Sequence, residues 1–155
     1  MNQVLQQAKN KLEKLRINYR ILDLGEKAYT VEDVERLTSV NPKEICKTLI
    51  MKTDKGMVFA VMLSGQKRIN NKKVRKIIHA SKIRMLTSEE LKSKTVFEPG
   101  TVCPILIEDI PILIDKSVFE TEKINFGSGD LCYGIEMKSK DILKCVDAKI
   151  VDIAD

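Results

Sequence analysis

The chain has 155 residues, 43% hydrophobic and 32% charged, with 27 Lys+Arg against 22 Asp+Glu for a formal net charge of +5. That length suits one compact domain over residues 1–155, and the composition excludes a disordered tail or a fibrous repeat. The longest apolar run, Met57–Leu63, falls far short of the ~20 residues of a membrane helix, and the opening Met1–Gln7 is too polar for a signal peptide, so a cytoplasmic protein with no membrane partner is expected.

Val4, Leu5, Ala8, Leu12 and Leu15 recur at helical spacing and predict an amphipathic helix over 3–16. Tyr19–Leu24 reads as extended up to the turn at Gly25. Thr30 with Asp33 resembles a capping box that opens a helix through Leu37, and Asn41-Pro42-Lys43-Glu44 is a second helix start. Cys46–Lys52 and Met57–Leu63, flanking Thr53-Asp54-Lys55-Gly56, predict a hairpin that Ser64-Gly65 ends. Asn70 caps a helix with Val74, Ile77 and Ile78 on its apolar face. A strand at Ile83–Leu86 leads to a capping box, Thr87-Ser88-Glu89-Glu90, for a helix through Lys92. Further strands are expected at Ile105–Ile107, Ile110–Ile114, Lys123–Phe126 and Tyr133–Met137. Ser139 then caps a helix through Cys145, and Lys149–Ile153 adds a final strand. Helices and strands interleave while several strands connect directly, which predicts a mixed α/β (α+β) sheet.

Cys46, Cys103, Cys132 and Cys145 include no close pair, so a structural zinc site is not expected, and His79 is the only histidine. No metal and no cofactor are therefore anticipated. Strand alternation puts Lys47 on one face with Leu49 and Met51, opposite Cys46, Thr48 and Ile50. Either its stem snorkels to the surface or its ammonium reaches a cleft. In Phe97–Pro104, Gly100 permits unusual dihedrals while Pro99 and Pro104 fix theirs. The segment is either a plain connection or a stiff loop offering its backbone to an ammonium or an ester. Gly127-Ser128-Gly129-Asp130 is either a turn between strands or a place where a phosphate or sugar approaches closely, and it lacks the spacing of a P-loop. Lys67, Arg68, Lys72, Lys73, Arg75, Lys76, Lys82 and Arg84 crowd one acid-free segment, a solvated helix face or a surface for a phosphate backbone. At 5% aromatic residues, no stacking platform for bases is evident. Cys103 as a nucleophile would have only His79 as its base.

In this order, Ala28-Tyr29-Thr30-Val31-Glu32-Asp33, Lys47-Thr48-Leu49, Ser64-Gly65 before the basic helix, Gly100-Thr101-Val102-Cys103-Pro104, Gly127-Ser128-Gly129-Asp130 and Asp147-Ala148-Lys149 make the chain resemble the YbaK/prolyl-tRNA synthetase-associated family of aminoacyl-tRNA editing domains. The resemblance covers nearly the whole chain. It implies a mixed, partly barrel-like sheet flanked by helices, and hydrolysis of the ester of a mischarged tRNA, typically of the proline type. It implies that Lys47, Gly100 and Pro104 form the catalytic centre, with Lys47 holding the terminal adenosine phosphate or neighbouring polar groups. Thr101, Val102, Cys103, Gly127, Ser128 and Gly129 would bind the substrate, and Lys67, Arg68, Lys72, Lys73, Arg75 and Lys76 would meet the RNA. The implied partner is an aminoacyl-tRNA, with a synthetase as a second. Members that clear cysteine carry Tyr, Ser and Asp near positions that hold Leu24, Gly127 and Gly134 here, which leaves alanine, serine or another small residue as the target. The other reading is a tRNA- or synthetase-binding module that kept the fold without turnover, and a nucleotide-binding protein using the Gly127 turn is a third.

Overall fold

One hairpin organises the backbone. In the computed structural model, which describes residues 1–155, β2 (Cys46–Thr53) and β3 (Val58–Ser64) pair antiparallel from Cys46↔Ser64 to Lys52↔Val58. The turn predicted between them is tightened by Gly56 at φ +89° and by the Thr53 Oγ1, which accepts from Met57 N–H. β4 (Ile83–Met85) adds antiparallel to the far half of β2, and β5 (Ile112–Asp115) and β8 (Lys149–Val151) extend the other side in parallel, giving the order β4-β2-β3-β5-β8. A second sheet, β1 (Tyr19–Asp23), β7 (Tyr133–Lys138) and β6 (Lys123–Gly127), is antiparallel throughout. The architecture is mixed α/β, as expected. Its barrel-like part consists of two sheets joined by a parallel bridge between Ile45 and Asn125, and the strands do not close into a barrel.

Strand alternation sorts the core. Cys46 and Ile50 of β2 and Ala60 and Met62 of β3 join Leu5, Ala8 and Leu12 of α1 (Gln3–Lys14) with Ile124, Phe126, Ile135 and Met137 of the second sheet in the larger cluster. Met51, Phe59, Val61 and Leu63 point the other way, onto Val74 of α3 (Asn71–Ile78). The caps read from sequence are present where a polar side chain precedes an apolar face. Asn70 accepts from Lys73 N–H to start α3, and Thr87 and Glu90 form a reciprocal capping box on α4 (Ser88–Lys94). At α2 (Val31–Leu37) the Thr30 Oγ1 accepts from Asp33 N–H, while Asp33 reaches Tyr29 N–H, one residue before the cap.

Three expected elements differ. Ile105–Ile107 is not a strand: residues Pro104–Leu106 make a 3₁₀ turn, because Pro104 has a fixed φ and no N–H for a ladder, and Lys11 Nζ instead satisfies the Ile105 carbonyl at 2.7 Å. Asn41 does cap, but Pro42–Glu44 completes one 3₁₀ turn before β2 begins. Ser139 is not an N-cap. Its hydroxyl donates to the Thr121 carbonyl at 2.6 Å, tying the β7 end to the β6 approach, and α5 (Ile142–Cys145) follows a 3₁₀ turn. No helix is long and apolar enough to cross a membrane.

Candidate functional site

The two sheets leave a gap along the first half of β2. Ile45 C=O accepts from Gly65 N–H at 2.7 Å and Thr53 N–H donates to Met57 C=O at 2.9 Å, so the odd-numbered residues of β2 exchange hydrogen bonds with β3. The even-numbered residues therefore turn their N–H and C=O away from β3. Ile50 C=O is met there by Leu86 N–H at 3.0 Å, at the end of β4, and the Ile45–Asn125 bridge to β6 closes the other end. Between them Thr48 N–H and C=O have no ladder partner. This open edge borders a cavity of about 450 Å³, lined by Tyr29–Glu32, Val34 and Leu91 and by Leu22, Leu24, Phe126 and Gly134.

Lys47 stands in that wall. It leaves β2 on the Leu49 and Met51 side, as alternation requires, and its Nζ donates to the Gly65 carbonyl at 3.4 Å. Burial is the main cause that holds its ammonium below the usual lysine pKa; Glu32 opposes the shift and Arg68 adds to it. An ammonium with one long hydrogen bond, at an apolar cavity, retains donors for an incoming phosphate or carbonyl.

The glycines make the close approaches. Gly100, at φ +86°, lies against the Tyr29 backbone, where a Cβ would come within 2.6 Å of the Tyr29 carbonyl oxygen. Gly127 abuts Val102, whose carbonyl oxygen a Cβ would meet at 2.6 Å, so the Gly100 loop and β6 are in direct backbone contact. Gly134, paired with Gly127 across β6 and β7, has nothing nearer than 3.8 Å and leaves that patch of wall bare.

Of the residues singled out in the sequence, the structure brings Lys47, Gly100, Val102 and Gly127 to the cavity. Pro104, Thr101, Cys103, Ser128 and Gly129 do not line it. Cys103 is fully buried, with burial pushing its thiol up to about 12, which removes it as a nucleophile, and His79 ends α3 in a left-handed conformation outside the cavity. Thr101 closes its own turn through Glu98, and its carbonyl accepts from Gly129 N–H. The Ser128 hydroxyl is spent on the Tyr133 carbonyl at 2.6 Å. These residues position the walls. In the basic segment, Lys73 pairs with Asp152, and Arg75 folds back on the Ser81 carbonyl at 3.1 Å. Lys67, Lys72 and Lys76 make no ion pair, and Arg68 lies near enough to act on Lys47. No three His, Cys, Asp or Glu side chains are grouped to hold a metal ion.

Sequence reasoning missed Thr48, Asn125 and Glu32. The Thr48 hydroxyl and both polar atoms of Asn125 are buried without a partner, and both residues border the cavity. A polar residue amid Ile124 and Phe126 was the available signal for Asn125.

A profile of the aminoacyl-tRNA editing domain matches residues 25–145. Proline–tRNA ligase of Persephonella marina is 35% identical over 104 residues, covering 67% of this chain and 18% of that protein, and the ligase of a Sulfurihydrogenibium species is 36% identical over 113 residues, covering 70% and 20%. The chain thus spans about a fifth of the length of these ligases. YwhH of Bacillus subtilis, an uncharacterized protein, is 28% identical over 122 residues, 78% of this chain and 77% of that one. Among solved structures, hypothetical protein APE2540 superposes with a TM-score of 0.87 at 23% identity, covering 96% of this chain and 99% of that chain. A candidate trans-editing enzyme for prolyl tRNA synthetase superposes with a TM-score of 0.85 at 18% identity, covering 100% and 99%. These two share the fold.

Proposed function

The chain belongs to the aminoacyl-tRNA editing domain family, and from that premise we propose that it is a deacylase acting in trans on mischarged tRNA, with tRNA for proline carrying a small non-cognate amino acid as its substrate. The observation that carries this reading is Lys47 in the wall of a largely apolar cavity, with the backbone of the Gly100 loop on the same cavity. The similarity to proline–tRNA ligases supports the proline assignment. The match to YwhH along most of that protein's length supports action outside a ligase.

An aminoacyl ester is already activated. Holding its carbonyl beside a water and stabilising the oxyanion that forms suffices for hydrolysis, without a side-chain nucleophile or a metal. In this reading Lys47 binds the phosphate or neighbouring polar groups of the terminal adenosine, and the walls from Leu24 to Gly134 receive the amino acid. Discrimination is steric, the second sieve of an editing scheme. In the same reading Lys67, Arg68, Lys72 and Lys76 meet the acceptor-stem phosphates, so binding weakens as salt rises. The reaction takes place in the cytoplasm, where a prolyl-tRNA synthetase supplies the mischarged substrate.

The test is a deacylation panel of tRNA for proline charged with alanine, serine, cysteine or proline, with chelator present. Rapid loss of one mischarged ester, with the proline ester spared, is expected. Lys47→Ala lowers kcat/KM by about 100-fold or more with an unchanged melting temperature; full activity in that variant overturns the assignment of Lys47. Because burial depresses the Lys47 pKa, its charged form is lost at lower pH than the 10.5 of an ordinary lysine. Binding of a non-hydrolysable aminoacyl-adenosine amide is therefore expected to weaken as pH rises toward that value, and to weaken by less in Lys47→Ala, where the α-amino group of the ligand still titrates. Salt-sensitive RNA binding with no hydrolysis of any ester would favour a binding module.

A further inference from the structure

We infer that the aminoacyl group docks on the open edge of β2 as a one-residue antiparallel partner of Thr48: the α-ammonium donates to the Thr48 carbonyl, and the Thr48 N–H donates to the ester carbonyl oxygen. The inference rests on the editing reading above and adds to it the groups that hold the reacting carbon.

Odd-numbered residues of β2 are committed to β3, and the even-numbered ones face the second sheet. Ile50 is engaged by Leu86, and the bridge at Ile45 and Asn125 ends the edge on the other side. In the opening left between them, Thr48 is the residue that turns both an N–H and a C=O outward without a ladder partner, and it borders the cavity together with Lys47, Gly127 and Gly134. In an antiparallel sheet, a hydrogen-bonded pair consists of two residues that exchange both of their N–H···O=C bonds. An aminoacyl ester carries a nitrogen and a carbonyl on either side of a single Cα, so it is the smallest unit that completes such a pair. Leu86 at the Ile50 carbonyl and Asn125 opposite Ile45 bound the edge at its two ends, which leaves it short for the strand addition by which open edges usually bind peptides.

The chemistry follows from the same pair. Water adds its oxygen to the acyl carbon, and the carbonyl electron pair moves onto oxygen, where the Thr48 N–H holds the charge. Collapse of the intermediate re-forms the carbonyl and breaks the bond to the ribose oxygen, which leaves with the proton supplied by the water. The products are the free amino acid and the tRNA hydroxyl. The donor is a backbone group fixed by the β2–β3 ladder, so it requires no reorganisation as the charge develops.

Thr48→Pro removes the proposed donor and keeps the carbonyl. Because this N–H takes no part in a ladder, the replacement is of the kind that edge strands accept. Where folding is nevertheless lost, the α-hydroxy analogue of threonine at position 48, which replaces the N–H by oxygen, makes the same deletion. Thr48→Ala, which retains the N–H, is the reference for side-chain effects. The expected result is kcat/KM for the mischarged ester about 100-fold below that of Thr48→Ala, with uncharged tRNA bound as tightly as by the wild type. Equal kcat/KM in the backbone-deleted protein and in Thr48→Ala, with the wild type active, overturns the inference and leaves the editing reading standing. A wild type that hydrolyses none of the esters overturns both.

Discussion

The two halves of β2 have similar sequences and opposite surroundings. Met51–Thr53 is paired on both sides, by β3 and by β4, and Met51 is 3% exposed within the smaller apolar cluster. Lys47–Leu49 is paired along β3 only, and on its other side the second sheet stands off across the cavity. One half serves packing and the other serves access. The cavity is not carved out by small side chains in the strand. It arises because β4 is too short to cover β2 and β6 touches β2 only at its start.

Substitutions in the two halves separate these roles, and the largest effect lies in the closed half. Met51→Ala there is expected to cost about 2–5 kcal/mol through lost transfer and an unfilled cavity, read as a lower denaturant midpoint at unchanged m-value. Next is the wall facing the open half. Gly127→Ala places a Cβ within 2.6 Å of the Val102 carbonyl oxygen and is expected to cost about 1–3 kcal/mol while displacing the Gly100 loop and lowering deacylation. Gly134→Ala meets only ordinary contacts at 3.8 Å and is expected to change stability far less. Equal losses in the two variants would show that the loop does not lean on β6. The smallest effect is in the open half itself. Thr48→Val removes a buried hydroxyl that has no partner, so it is expected to leave stability unchanged or raise it by about 1 kcal/mol, measured by thermal and urea unfolding.

The local part of this architecture was readable along the chain. The β2–β3 hairpin is marked by two apolar runs around Thr53–Gly56, the caps at Asn70 and Thr87 by side chains that can reach an N–H three residues on, and the face of Lys47 by a period of two. Each depends on neighbours within a few residues. The segment Pro104–Leu106 misled because its apolar run resembles a strand, while the partner that satisfies its carbonyl, Lys11, lies 94 positions away. Gly100 and Gly127 were evident as glycines; that one presses on Tyr29 and the other on Val102 was not.

Most of the secondary elements, the two faces of the hairpin and the place of Lys47 on one of them follow from the sequence, because propensity, capping and alternation act over short separations. Only the tertiary structure decided that Lys47, the Gly100 loop and the bare Gly127–Gly134 pair border one cavity, and that Thr48 has an unpaired backbone edge there. Strand order and the lengths of β4 and β6 set that edge, and both follow from pairings between distant segments whose free energy no local pattern encodes.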